Sequence, residues 1–496
     1  MQEQMMIPNW RFVSLTVLLC TIICCDSGKR KPADLPPAEQ WIDHLNQDLL
    51  TFWTHPDGLG DPVGNFPTFR YDDGKPVDPL VPLAEPYLTL ADKGQTWITG
   101  NLNKNYVRMI SRQAYAFGVA FHMTGEVYYL KLAKAGVDFL LKNAFEPSGA
   151  IVSWFEDGKP GPNLEHRTSQ DMSFALVGPS CYYYLTRDPL VLDRIIKAKQ
   201  YFFNTYGGAD NWSALKWMME NYGNQKADAL YLSGHLDLLP SYMLLMTPLL
   251  EENEKTIWIV DLKKLANLLK QRFYDQEMNV FWGQIDDPQQ LKLGGYHVDF
   301  GYTSRAFRTL LLIGRITADE DLIKFSEEGA LNLLESAFLS DQGAWGEKFA
   351  EDGSVVRRNL WWTAAELDVT AAILALQDDR GGEFLASTYA FWFNQLVDKE
   401  NGSVWWGFDE SGNSLVTKAN LWKSAFHEFE HALVGYITSQ SLNTQTVILY
   451  YAFENIPEKE KIQPYLLRGT IKDIKVLDHP ELQKRQIQQI TFSQVR

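Results

Sequence analysis

Phe426-His427-Glu428-Phe429-Glu430-His431 sets two imidazoles four residues apart, with a glutamate beside the first. On a helix this spacing puts both rings on one face, and H-E-x-x-H is the pattern by which zinc peptidases activate a metal-bound water. Glu454 would then be a third ligand. Two features count against that chemistry. Glu430 places a charge inside the motif where such peptidases keep uncharged residues, and nothing else in the chain resembles a protease domain. Without a metal, a histidine is the side chain that takes a proton near neutral pH with no large shift. Asp171, Asp237 and Asp299 offer another chemistry, since two carboxylates facing each other across a pocket hydrolyse glycosidic bonds.

These residues do not fall at random along the chain. Each stands at the start of an apolar helical pattern: Arg112-Gln113-Ala114-Tyr115, Asp171-Met172-Ser173-Phe174, His235-Leu236-Asp237, Asp299-Phe300-Gly301-Tyr302, Trp361-Trp362-Thr363-Ala364-Ala365-Glu366 and Phe426-His427. Between them one unit recurs, an apolar helical stretch ending in an aromatic or leucine, a Gly-containing loop and a Trp/Phe-rich strand-like turn. Its markers Phe145, Tyr206, Phe273, Phe338 and Leu396 are separated by 61, 67, 65 and 58 residues, and each interval holds two helical patterns. A first copy runs from Leu50 through Gly64 to Asp73-Gly74, and Gly207-Gly208 and Gly412 mark others. Six helical hairpins of this period predict an all-α (α/α)6 toroid, a barrel closed on itself with aromatic loops on one face. The helix starts above would then be the inner-ring starts that line a central pocket. With 16 Trp, 22 Tyr and 27 Phe, the chain is rich in rings that hold the faces of sugars.

In this order, one per hairpin, the segments resemble the N-acylglucosamine 2-epimerase superfamily, which includes cellobiose 2-epimerases and aldose–ketose isomerases. The resemblance spans about residues 40–450 and rests on Arg112 with Tyr115, Asp299-Phe300-Gly301, Trp361-Trp362 with Glu366, and Phe426-His427. It implies an (α/α)6 barrel, a mono- or disaccharide substrate, no cofactor and no metal. It also implies removal of the C2 proton of an open-chain aldose to give an enediolate. Two bases on opposite faces epimerise, whereas one base returning the proton to C1 isomerises. His427 matches one family base. Tyr302 stands where the other belongs, and a phenol with a pKa of about 10 is a poor base at pH 7. His297, five residues upstream, could reach the pocket from the entering loop.

Asp237 stands near a third family histidine. His235 lies about 200° around the helix from it and does not substitute, and Pro240 replaces an expected glutamate. Arg112, Tyr115, Asp237 and Glu366 would hold the sugar, Trp361 and Trp362 would stack on it, and Glu366 could instead anchor Arg112 or Arg305. Arg305 and Arg308 add positive charge nearby. With half of the acid–base pair kept, the alternatives are one-base isomerisation, glycoside hydrolysis in the same pocket, or sugar binding without turnover.

The ends differ from this body. Arg11, an apolar run Phe12–Cys25 and a polar flank read as an export leader, too short to span a bilayer. Ile22-Ile23-Cys24-Cys25 resembles a bacterial lipobox, with Cys25 as the lipidated residue, so residues 1–25 predict an exported protein, periplasmic or anchored in a bacterial envelope. Residues 26–38 are a tether, 39–455 the barrel, and 456–496 an extension with a strand over Thr470–Val476. Only Cys181 of the four cysteines lies in the body, which excludes a disulfide frame. A net charge of -16 excludes nucleic acid as a partner, because phosphate binding needs a basic surface.

Overall fold

The aromatic markers end helices. In the computed structural model, which describes residues 35–207, 213–408, 414, 417–482 and 484–496, outer helices finish within two residues of Phe145, Tyr206, Phe273, Phe338 and Leu396. The leader 1–25 with Cys25, Gly208 and Gly412 lie outside the described residues. Twelve principal helices are present among the described residues: α1 (residues 38–53), α2 (Val107–Thr124), α3 (Val127–Asn143), α4 (169–186), α5 (Pro189–Tyr206) and α6 (232–249). They continue with α7 (252–273), α8 (Phe300–Thr317), α9 (Glu320–Ala337), α10 (Trp361–Ala375), α11 (385–396) and α12 (Phe426–Leu442).

Two burial patterns separate an inner from an outer ring. In α3 the buried residues Val127, Leu130, Ala133, Val137 and Leu140 recur every three or four positions, so one stripe faces inward and the rest meets water. The even-numbered helices are buried on almost every face, including the charged and polar side chains of α2 such as Arg108, Arg112 and Gln113. Polar groups buried all round a helix must face a shared polar interior. The even helices touch in sequence, α2 on α4, α6, α8, α10 and α12, and α12 returns to α2 while α1 covers it from outside. The ring closes as an (α/α)6 toroid.

The loops entering the inner helices carry short antiparallel hairpins, such as Trp154–Glu156 with Lys159–Gly161, paired Trp154 to Gly161. Its tip, Asp157-Gly158, takes positive φ at both residues (50° and 73°), the backbone that an Asp-Gly pair accepts most readily. Asp299 caps α8, accepting the Tyr302 N–H at 2.8 Å, and so sets where that inner helix begins. Around Pro240 helix α6 widens into a π turn, Leu239–Met243, because proline cannot donate to the helical ladder.

The extension folds into a three-stranded antiparallel sheet in which Ile487–Ser493 lies between Val447–Tyr451 and Thr470–Leu477. The strand Val447–Tyr451 falls before residue 456, yet it pairs Val447 with Phe492 and Tyr451 with Gln488. Its buried face, Val447, Leu449 and Tyr451, packs on α2, so sheet and barrel share one core.

Candidate active site

The first turns of the inner helices bring together residues from distant parts of the chain. The ring of Trp362 lies 5.3 Å from that of Tyr302 and 6.2 Å from that of His427, centroid to centroid, edge-on to the phenol and tilted to the imidazole. This approach needs Gly301, because a Cβ there would stand 2.5 Å from the Trp362 ring. His297, half-buried on the loop before α8, packs 4.9 Å from Tyr302 and 4.0 Å from Tyr296. The loop therefore does deliver His297 to the cluster. Trp361 is 3% exposed and packs on Trp406 at 4.5 Å, so of the tryptophan pair Trp362 is the half-buried one that meets Tyr302 and His427.

His427 is held through one nitrogen. Nδ1 lies 3.1 Å from Glu366 Oε1, an ion-pair distance without hydrogen-bond alignment, and no protein group among the described residues bonds to Nε2. Burial opposes the charge of Glu366, but Arg305, Arg308 and His427 outweigh it and hold its carboxyl well below the ordinary range. The ionised carboxylate beside Nδ1 favours the tautomer with the proton there, which leaves Nε2 as the basic atom. Burial pushes the His427 pKa down to about 3. Its imidazole is therefore neutral, and able to accept a proton, at physiological pH.

Below this turn lies a charge network. Arg305 donates from Nε and Nη2 to Glu366 Oε1 at 3.1 and 2.6 Å, and from Nη1 to Asp237 Oδ1 at 2.8 Å. Gln170 donates to Asp237 Oδ2 at 2.7 Å and stands 3.5 Å from the Tyr302 hydroxyl. Burial, with Asp237 beside it, raises the Tyr302 phenol well above its ordinary value. Its hydroxyl therefore keeps its proton at neutral pH. Arg112 donates to the Trp422 carbonyl at 3.1 Å and stacks 3.8 Å over Phe174, while its Nε has no partner. Burial, then Arg108 and Arg305, push it down to about 9, so it keeps its charge and one free donor.

Several expectations change. Tyr115 is 2% exposed and its hydroxyl lies 3.0 Å from that of Tyr465, so it packs beneath the network and not at its surface. Asp237 is fully buried and committed to Arg305 and Gln170, so it braces the site from below. Glu366 anchors Arg305 and Arg308 rather than Arg112. The carboxylates proposed for hydrolysis are also occupied. Asp171 pairs with Arg108 at 2.6 Å and Asp299 caps α8, although burial raises Asp299 to about 7. His235 is structural, accepting the Leu215 N–H at 2.8 Å with its other nitrogen 2.7 Å from the Tyr231 carbonyl.

The zinc reading fails on direction. His431 Nε2 lies 2.9 Å from Asp368 and its ring stacks on Trp392 at 4.0 Å, while Glu428 accepts hydrogen bonds from Trp53 and Ser403. The three motif side chains thus point to three different partners. Among the described residues, Glu366, His427 and Glu430 form the one group whose ligand atoms lie within 4.8 Å of each other. Arg308 bridges the two glutamates of that group, 2.8 Å from Glu366 and 3.7 Å from Glu430, and supplies the positive charge itself.

The chain is 24% identical over 337 residues to the cellobiose 2-epimerase of Ruminococcus albus, a match covering 64% of this chain and 83% of that protein. Its fold is that of the Spirochaeta thermophila cellobiose 2-epimerase, with a TM-score of 0.63 at 19% identity over 82% of this chain and 97% of the other. A D-mannose isomerase superposes with a TM-score of 0.62 at 14% identity, covering 81% and 97%. No protein-family model matches the chain.

Proposed function

We propose that this chain, a divergent member of the N-acylglucosamine 2-epimerase superfamily, is a sugar epimerase or isomerase whose base is His427. The observation that carries the reading is the pairing of the buried His427 Nδ1 with an ionised Glu366, which leaves Nε2 unbonded beside Trp362. Nε2 takes the C2 proton of an open-chain aldose, and the imidazolium that forms is neutralised by Glu366. The Tyr302 hydroxyl and the free Nε donor of Arg112 stabilise the enediolate oxygens. Return of the proton to C1 gives the ketose. Return to the opposite face of C2 requires a second acid; His297, beside Tyr302, is the candidate, and because burial pushes it down to about 4 it must first take up a proton to act.

The test is proton exchange in D2O, followed by NMR, with mannose, glucose, N-acetylglucosamine, N-acetylmannosamine and cellobiose. Deuterium should appear at C2 of the aldose or at C1 of a ketose, and its absence with every sugar would sink the reading. Reducing ends released from an oligosaccharide without deuterium would favour hydrolysis, with Asp299, raised to about 7, as the acid. Trp362→Ala should raise KM by about tenfold with a smaller change in kcat, since it removes a stacking face and no proton carrier. Export with a lipid on Cys25 completes the proposal. The mass of the mature amino terminus tests it.

A further inference from the structure

We propose that the C-terminal extension is part of the proton-transfer apparatus, with Tyr465 acting through Glu430, Arg308 and Glu366 as a positioning residue for His427. The inference rests on His427 being the base.

Tyr465 comes from the segment after the barrel, yet its side chain is buried inside the ring. Its hydroxyl donates to Glu430 Oε1 at 2.7 Å and lies 3.0 Å from the Tyr115 hydroxyl of α2. Its N–H donates to the Tyr184 hydroxyl of α4 at 2.8 Å. The backbone at Tyr465 has φ +61°, a left-handed conformation that costs a bulky residue free energy and persists only where its surroundings demand it. From Glu430 the line continues through Arg308 Nη2 (3.7 Å), Glu366 Oε2 (2.8 Å from the same atom) and Glu366 Oε1 to His427 Nδ1 (3.1 Å). Glu430 also stands three residues after His427 on α12, on the neighbouring turn.

A plug needs none of this. Apolar side chains would seal the ring at no desolvation cost, whereas each charge here is costly to bury unless it is paired. The charged and titratable groups facing Glu430 are Arg308 and Arg305 from α8, Glu366 from α10, His427 from its own helix, Tyr115 from α2 and Tyr465 from the extension. Burial raises Glu430 above the usual carboxylate range, against the pull of Arg308; Glu366 raises it further and the Tyr465 hydrogen bond opposes this. Removing that hydroxyl destabilises the ionised carboxylate, so Glu430 takes a proton at higher pH. The network then loses one negative charge, Arg308 turns wholly to Glu366, and the imidazolium of His427 is less well neutralised. Loss of activity on acidification therefore follows Glu430, because His427 itself stays neutral far below pH 6.5.

The experiment compares wild type, Tyr465→Phe, Glu430→Gln and the double variant in full-length protein. It measures kcat and KM for C2 exchange against pH, together with the nitrogen resonances of His427 in histidine-labelled protein at pH 7. Tyr465→Phe should move the acidic limb of kcat up by about one pH unit, leave KM within about twofold and shift the His427 Nδ1 resonance. Glu430→Gln should hold kcat at the low plateau without that limb, and the double variant should match it. A Tyr465→Phe profile and resonance that coincide with wild type, with only the melting temperature lowered, would make Tyr465 a plug and overturn the proposal. Should wild type exchange no sugar proton at all, the functional reading fails, and the resonance shift alone decides whether Tyr465 is coupled to His427.

Discussion

His427→Asn should slow C2-proton exchange by a factor on the order of 10² to 10⁴, the range that a positioned general base contributes. Asparagine has nearly the same reach, and its amide can still donate to Glu366, so the buried network keeps its partner. Binding of the sugar, measured by calorimetry, should therefore change little. The matched control is His431→Asn, four residues on. His431 has its Nε2 on Asp368, whose other oxygen accepts from Trp345 (2.8 Å) and Thr388 (2.6 Å). That variant should lower the melting temperature and leave kcat near wild type. Metalloprotein chemistry requires the opposite pattern, with both histidines equally essential and both variants losing bound zinc. Exchange rates of the two variants, read with their melting curves, therefore separate the two meanings of one six-residue segment.

What the sequence revealed, and what it did not, follows from the range of the forces involved. Helix ends are local events. Phe145, Tyr206 and Phe273 stop outer helices because an apolar stripe, a ring and a Gly-containing loop sit together in a short stretch. Asp299 starts α8 because a carboxylate caps the N–H three residues on. The period of these signals was enough to count six hairpins and to place His427, Tyr302, Trp362 and Arg112 on one face of the toroid. Pairing across the ring is not local. Whether Glu366 points at Arg112 or Arg305 depends on the rotation of α10 against α8, which no residue of either helix encodes alone. Tyr115 and Tyr465 are 350 positions apart, and nothing near either announces the contact. Gln170, one residue before Asp171, gives no signal in the sequence because an amide carries no charge, although it links Asp237 to Tyr302. Asp368 lies inside an otherwise apolar helix and Glu430 reads only as a charge inside the histidine motif; the polar interior of the closed ring explains both. The strand Val447–Tyr451 has clear alternation, but its partner begins 36 positions later, at Ile487.

Glu366→Gln should cost about 3 to 5 kcal/mol of stability, the loss expected when one member of a buried ion cluster is neutralised and its partners stay in place. Glu366 has no exposed side-chain surface; it accepts hydrogen bonds from Arg305 at Oε1 and stands in an ion pair with Arg308, 2.8 Å away, through Oε2. Glutamine fills the same volume, so packing is not the variable. Its amide nitrogen would have to face one of two guanidinium groups, a donor against a donor, and that arginine would be left unpaired in the ring. Arg305 retains Asp237, and among the described residues Arg308 retains only Glu430 at 3.7 Å, so Arg308 bears most of the loss. A second substitution, Arg308→Met, should therefore restore part of the stability in the Glu366→Gln background, although Arg308→Met alone destabilises. Denaturant midpoints of the four proteins form the cycle, with an expected coupling of about 1 to 3 kcal/mol. Simple addition of the two single losses would show that the cluster does not act as a unit. Activity should not recover with stability in the double variant, because His427 would still lack the carboxylate that neutralises its imidazolium. Stability restored without exchange is the result that ties Glu366 to both the fold and the proton.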